Sequence, residues 1–237
     1  MKNTIDYEIV IVGAGVIGLA IARELAINNF KSVLIIDRNS SFGEETSSRN
    51  SQVIHSGIFN NIESKKYYHC IRGKKLLYNF LNQYELEHEQ TEKIIVSKSS
   101  EIDTFKKFVK NITSKNIPFS SISKSELNTI EPYVVSENSL IIHESGILDA
   151  HQFMHQLYQI SNLHHDYLFN ANLKSIEYHK NRYQVSIEEK DGNIEKINSK
   201  YLINAAGLSS FDVAKKLMGK QLKLTPQKFY KGSYFKL

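Results

Sequence analysis

The stretch Tyr7-Glu-Ile-Val-Ile-Val-Gly-Ala-Gly-Val-Ile-Gly18 decides the fold. Its first six residues form a short β-branched run that ends at a glycine, the pattern of a buried parallel strand. Beyond the glycines, residues 16–28 carry Ile17, Ala20, Ile21, Glu24 and Leu25 at helical spacing. Residues 32–36 make a second β run, which ends at Asp37. Strand, glycine turn, helix and strand in this order are a βαβ unit.

Gly13, Gly15 and Gly18 spell G-x-G-x-x-G. Alone that pattern is weak; between a strand and a helix, with an acid closing the next strand, it marks a dinucleotide site. Gly13 permits the tight turn, Gly15 has no side chain to hold off a pyrophosphate, and Gly18 lets the helix pack closely on the strands. The helix start, at Val16 and Ile17, offers unpaired N–H groups and the positive end of the dipole to phosphates. Asp37 can accept hydrogen bonds from ribose hydroxyls and would repel a 2′-phosphate, which disfavours NADP. FAD and NAD share this ADP half. An NAD dehydrogenase usually continues with further βα units, whereas a serine-rich loop (40–51) and a long helix (65–84) come next here. Strands at 173–179, 183–188 and 194–200 then form an antiparallel meander. That order suits a flavoprotein whose ADP-binding domain is interrupted.

Elsewhere the pattern predicts a strand at 93–97, a helix with Ile102, Phe105, Val109 and Ile112 on one face, and a capping box from Ser123 to Glu126. A strand at 140–143 precedes Asp149, which caps a helix carrying Phe153, Leu157 and Ile160. A helix at 209–218 and a strand at 229–237 close the chain. The expected class is α/β, a Rossmann-type FAD-binding domain with a βαβ start and an antiparallel meander. It is interleaved with a partial α+β substrate domain. Residues 1–85 and 145–220 are assigned to the first, 86–144 and 221–237 to the second.

The 237 residues are 41% hydrophobic with a formal charge of +5, ordinary for a globular chain. The basic residues are scattered over helical segments, which reads as solvated faces and argues against nucleic-acid binding. Attraction to anionic metabolites or lipid headgroups stays open. Cys70 is the only cysteine, so neither an intrachain disulfide nor a cysteine zinc cage can form, as expected in a reducing compartment. His151 and His155 are four apart on a helix but lack a third ligand at motif spacing, so no metal is expected. The apolar run at 9–22 contains three glycines and is too short to span a bilayer. It also lacks signal-peptide flanks. A cytoplasmic protein is expected, with peripheral contact on the cytoplasmic membrane face left open.

Four stretches give the chain a resemblance to a known family: the glycine motif with Asp37; residues 47–59 (Ser-Ser-Arg-Asn-Ser-Gln-Val-Ile-His-Ser-Gly-Ile-Phe) followed by Leu76-Leu-Tyr78; Gly146-Ile-Leu-Asp149; and Asn204-Ala-Ala-Gly-Leu208 with Lys231-Gly-Ser-Tyr-Phe235. In order and spacing they resemble the FAD-dependent oxidoreductases of the D-amino-acid oxidase and glycine oxidase superfamily, most of all its L-2-hydroxyglutarate dehydrogenase/oxidase group.

The resemblance implies FAD as cofactor and a small 2-hydroxy acid as substrate. It places Ser47, Ser48, Asn50 and Ser51 along the ribityl and pyrophosphate portion, and His55, Ser56 and Gly57 near the isoalloxazine. Leu173 would face the adenine, and Ala206 and Gly207 would bring a second helix start towards the cofactor. Arg38 is read from its position just after Asp37, not from the resemblance, as stacking on adenine. His55, Lys231 and Tyr234 are the candidate catalytic residues, the last two at the wall or floor of the substrate cavity. Gln52 and Phe59 depart from the group, where a small or acidic residue and a tyrosine are common. Members continue well beyond this point, so a fragment with a truncated substrate domain is expected. An amino-acid or secondary-amine oxidase and an inactive FAD-binding fragment are the alternatives. Oxygen, a quinone and another flavoprotein all stay open as electron acceptor.

Overall fold

The computed structural model of the chain describes residues 5–218 and 227–233. Along the chain run β1 (Tyr7–Val12), α1 (Val16–Ile27), β2 (Val33–Ile36), β3 (Val53–Ile54), α2 (Lys65–Gln83), β4 (His88–Glu89) and β5 (Lys93–Ser97). Then follow α3 (Ile102–Ser114), β6 (Phe119–Ile122), α4 (Lys124–Ile130), β7 (Asn138–Ile142), β8 (Gly146–Leu148) and α5 (Ala150–Asn162). The remainder is β9 (Asp166–Leu168), β10 (Asn172–His179), β11 (Arg182–Glu188), β12 (Ile194–Asn204) and α6 (Ser210–Met218). By contacts the chain forms two units, Met1–Asn50 with Met154–Leu237, and Ser51–Phe153.

The first unit is built on one six-stranded sheet in the order β10-β11-β12-β1-β2-β9. β1 lies at its middle, parallel to β2 on one side and to β12 on the other, and β9 extends the parallel run. β1 alternates with a period of two. Ile9 and Ile11 pack with Ala22, Val33 and Ile35 on one face. Val10 and Val12 pack with Leu34, Ile36, Val185 and Ile187 on the other. Both faces are buried, which is why β1 and β2 read as continuous apolar runs.

β12 does two jobs. Its first half pairs antiparallel with β11 and its second half parallel with β1, the changeover falling at Ser199, which is opposite both Tyr183 and Tyr7. The meander expected at 173–200 is therefore present, but its last strand runs four residues further, to Asn204. β9 follows directly on the pair His164-His165. His165, 5% exposed, sets Nε2 3.1 Å from the Ala22 carbonyl of α1 and so ties the entrance of β9 to that helix.

The second unit holds two three-stranded sheets, β3-β8-β4 and β5-β7-β6. Antiparallel pairing of β3 and β4 to β8 draws residues 53–54 and 88–89 to residues 146–148. That pairing is why segments expected on both sides of boundaries near 85 and 145 share one contact unit here. Ile112 of α3 packs with Ile117, Leu140 and Ile142 in this unit's core, with Phe105 and Val109 against them, as the predicted stripe requires. The Ser123–Glu126 capping box closes on both sides. Asp149 Oδ1 accepts from the His151 and Gln152 N–H groups, and Gln52 Oε1 accepts from the Ala150 N–H. Three donors at the start of α5 are thereby satisfied. Of the strand expected at 229–237, residues 229–233 are irregular, and 234–237 lie outside the described residues. Aromatic residues such as Phe229 and Tyr230 are not enough, because a strand also needs a ladder partner, and none pairs with 229–233 among the described residues.

Candidate functional site

The C-terminal ends of β1, β2 and β12 lie at one end of the sheet, where β1 leads to α1 and β2 on one side while its neighbour β12 leads to α6 against β10 on the other, the kind of switch point at which open α/β sheets bind ligands. A cavity of about 420 Å³ opens there, within the range of small-molecule sites. Its floor is apolar, with Val12, Ile36 and Leu173, and its walls come from the glycine turn, the residues after β2, the serine-rich loop and the start of α6.

Each motif glycine has a specific reason to be glycine. Gly13 has φ of +108°, and a Cβ there would lie 2.5 Å from the Ala205 carbonyl oxygen. A Cβ on Gly18 would lie 1.8 Å from the Gly13 carbonyl oxygen, so α1 can sit on the turn only without one. Gly15 precedes α1 and gives it no side-chain cap. The cap comes instead from Ser47, whose Oγ accepts from the Val16 N–H at 3.0 Å. A Cβ on Gly15 would stand 2.9 Å from that oxygen. Gly15 therefore makes room for the serine loop as well as for a ligand.

Asp37 is anchored at the end of β2. Its Oδ2 accepts from the Ala14 N–H at 2.7 Å, and its Oδ1 accepts from the Asn39 N–H at 2.9 Å and the Asn39 side-chain amide at 3.0 Å. A carboxylate has about four acceptor positions, so Oδ2 keeps capacity for a ligand hydroxyl while being held by the glycine turn. Arg38 turns its guanidinium to Glu45, with Nε 2.7 Å from Oε1. Burial raises the Glu45 pKa, but the hydrogen bonds from Arg38 and Asn39, with the Arg38 charge, outweigh it and hold the carboxyl below its usual range. Lys216 of α6 donates to the Lys174 carbonyl at 3.0 Å and closes the far wall.

Of the residues anticipated from sequence, Gly13, Gly15, Ile17, Asp37, Arg38, Ser47, Leu173, Ala206 and Gly207 line this cavity. The Val16 N–H, expected to be unpaired, is instead donated to Ser47 Oγ, and Gly18 serves the helix packing. Ser48 and Asn50 brace the serine loop instead: Ser48 Oγ donates to the Glu45 carbonyl and the Asn50 amide donates to the Ser47 carbonyl. Ser51, His55 and Gly57 belong to the second unit. There His55 is exposed, yet partial burial and then the charges of Lys93 and Lys66 push its pKa below the usual value, favouring the neutral imidazole. Next to it Ser56 Oγ is buried with no hydrogen-bond partner among the described residues, an acceptor and donor left for a ligand. Gly57 has φ of +79°, and a Cβ there would meet Ile71 at 3.1 Å and Tyr67 at 3.2 Å. Lys231 is exposed in the irregular segment, and Tyr234 lies outside the described residues. Glu45, Lys174 and Lys216 were not anticipated, since nothing in their local sequence links them to the glycine turn.

An apolar floor, an anchored acid and the start of a 12-residue helix suit the adenosine and diphosphate of a dinucleotide. Comparison with known proteins resolves which one. The DAO family, described as FAD dependent oxidoreductase, matches residues 8–237. The chain belongs to this family. Among curated relatives, the mitochondrial L-2-hydroxyglutarate dehydrogenase of Arabidopsis thaliana is 33% identical over 266 residues, covering 100% of this chain and 54% of that protein. The Homo sapiens protein of the same name is 28% identical over 221 residues, covering 88% and 47%. The chain spans about half the length of the curated relatives it matches. Among solved structures, the dithionite-reduced L-alpha-glycerophosphate oxidase from Mycoplasma pneumoniae with FAD bound superposes with a TM-score of 0.78 at 25% identity, over 89% of this chain and 56% of that one. Glycine oxidase from Geobacillus kaustophilus shares the fold, with a TM-score of 0.78 at 16% identity over 90% of this chain and 58% of its own. The FAD-dependent oxidoreductase fold read from the sequence is the fold observed.

Proposed function

We propose that this chain is the FAD-binding portion of an oxidoreductase that converts a small 2-hydroxy acid, L-2-hydroxyglutarate foremost, to the 2-oxo acid. The observation that carries the substrate class is the similarity to the Arabidopsis L-2-hydroxyglutarate dehydrogenase along 100% of this chain. The cofactor rests on the family match and on the cavity at the glycine turn.

In this reading the N–H groups at the start of α1 and the turn at Gly13–Gly15 hold the diphosphate, and Asp37 Oδ2 holds the ribose. Val12, Ile36 and Leu173 offer the apolar surface for the adenine. Bound FAD supplies the two-electron acceptor. His55 takes the proton of the substrate hydroxyl, a task its lowered pKa suits because the imidazole is neutral near pH 7. Lys231 meets the substrate carboxylate. Neutralising that charge and removing the hydroxyl proton are the two things the protein must do while C2 loses its hydrogen.

The test is anaerobic titration of the FAD-loaded chain with L-2-hydroxyglutarate, D-2-hydroxyglutarate, glycine and sarcosine. Bleaching of the visible flavin band by the first alone is expected. A chain that leaves added FAD unbound would remove the cofactor assignment. Bleaching by glycine or sarcosine, with release of ammonia or methylamine, would move the substrate to amines.

A further inference from the structure

The sheet β5-β7-β6 carries a constellation unrelated to dinucleotide binding. Lys93 and Phe119 flank Ile142 in register. One residue further along each strand, Glu92 and Pro118 flank His143, whose N–H donates to the Pro118 carbonyl at 3.2 Å. Ser120 is two residues beyond Pro118, so it shares that face and lies diagonal to His143, a separation that side chains of this length bridge. They do bridge it. His143 Nδ1 is 2.6 Å from Glu92 Oε1, and His143 Nε2 is 2.9 Å from Ser120 Oγ.

The order of the bonds sets their direction. A carboxylate only accepts, so His143 donates from Nδ1 to Glu92. In the neutral ring Nε2 is then the acceptor, and Ser120 O–H donates to it. Nucleophile, base and orienting acid stand in the relation that activates a serine. Ser120 is exposed, and the His143 and Glu92 side chains are 37% and 56% exposed, so a small acyl donor can reach the hydroxyl from solvent.

We propose that Ser120, His143 and Glu92 form an activated-serine site, independent of the flavin reading, that accepts acyl groups from small activated esters. Ser120 Oγ bonds to the ester carbonyl carbon as its proton passes to His143 Nε2. The ester C–O bond then breaks, and the leaving alkoxide takes that proton. The acyl group is left on Ser120, and water activated by His143 releases it as the carboxylic acid and restores the serine. No electrons are exchanged with any other group.

The experiment treats the 237-residue chain with p-nitrophenyl acetate, following nitrophenolate release, and with a fluorophosphonate probe, mapping the labelled peptide. Fluorophosphonate on Ser120 is expected, together with ester cleavage that falls about 100-fold in His143→Ala, as for loss of a positioned general base. Glu92→Gln should lower it about tenfold with Ser120 still present, and circular dichroism should show the fold retained in both. Ser120→Ala should lose the label. Label confined to other residues, or cleavage unchanged by all three substitutions, would overturn the site and leave the three residues as a brace across the sheet.

Discussion

The hydroxyl of Ser47 caps α1 by accepting from the Val16 N–H at 3.0 Å, from 31 residues away in sequence. The two ends of this contact are coupled through Gly15, where a Cβ would stand 2.9 Å from the same oxygen. Ser47→Ala should cost about 1 kcal/mol, as for a lost helix cap. Gly15→Ala should cost about 1–3 kcal/mol, because the serine must move. The double variant should cost clearly less than the sum, since the methyl then meets no oxygen. Urea unfolding of the four proteins measures the cycle, and strict additivity would contradict the coupling.

Asp37 joins β2 to the glycine turn through Ala14 at 2.7 Å and to its own loop through Asn39 at 2.9 Å. Asp37→Asn puts an amide donor against one of these N–H groups. Leaving a donor unsatisfied costs about 1–3 kcal/mol, and FAD affinity should drop at least about tenfold. Quenching of flavin fluorescence reports the affinity, and urea unfolding reports the stability.

His165 gives the first unit a pH dependence with a definite sign. Burial, outweighing the help of its backbone hydrogen bonds, lowers its pKa below the usual value of 6.5, and its Nδ1 is buried without a hydrogen-bond partner among the described residues. The unfolded chain therefore binds the proton more readily. Its contribution is fully present above pH 6.5 and is lost as the pH falls below that, with a slope of at most about 1.4 kcal/mol per pH unit. Urea midpoints between pH 7.5 and 5 should fall more steeply in the parent than in His165→Gln.

Gln52 sits in the left-handed region with φ of +56°, where a residue with a Cβ is strained by about 1 kcal/mol or more, and its side chain accepts from the Ala150 N–H at 3.1 Å. Gln52→Gly removes the strain and the bond together, so stability should change by less than about 0.5 kcal/mol. Gln52→Ala keeps the strain and loses the bond, and it should be less stable than Gln52→Gly by about 1 kcal/mol. Thermal unfolding of the two variants side by side decides this.

The βαβ start was legible because everything that defines it is local: a six-residue run ending in Ile-Val-Ile-Val, three glycines at fixed spacing and an acid at the next strand end. The capping box at Ser123 and the Asp149 cap were legible for the same reason. What escaped depends on distant partners. β9 is three residues long, too short for periodicity to register, and exists because β2 lies beside it. The extension of β12 to Asn204 depends on β1, almost two hundred residues earlier. Ser47 reads as a loop serine facing the cofactor until the fold lays it on Val16, and Arg38 reads as a stacking partner for adenine until Glu45 comes round to meet it. The expected strand at 229–237 erred the opposite way over its described residues, 229–233, trusting local composition where no neighbouring strand pairs with them.

The changeover at Ser199 in β12 has a mechanical outcome. One strand serves as the neighbour of both β11 and β1, and Val185 and Ile187 of β11 share a core with Val10 and Val12 of β1, so peeling away the β10–β11 ribbon uncovers one apolar face of the central strand. The unit thus has no detachable flap at this edge. Amides of Val185 and Val10 should exchange with solvent deuterium through the same large opening, at one shared free energy, rather than in successive local events.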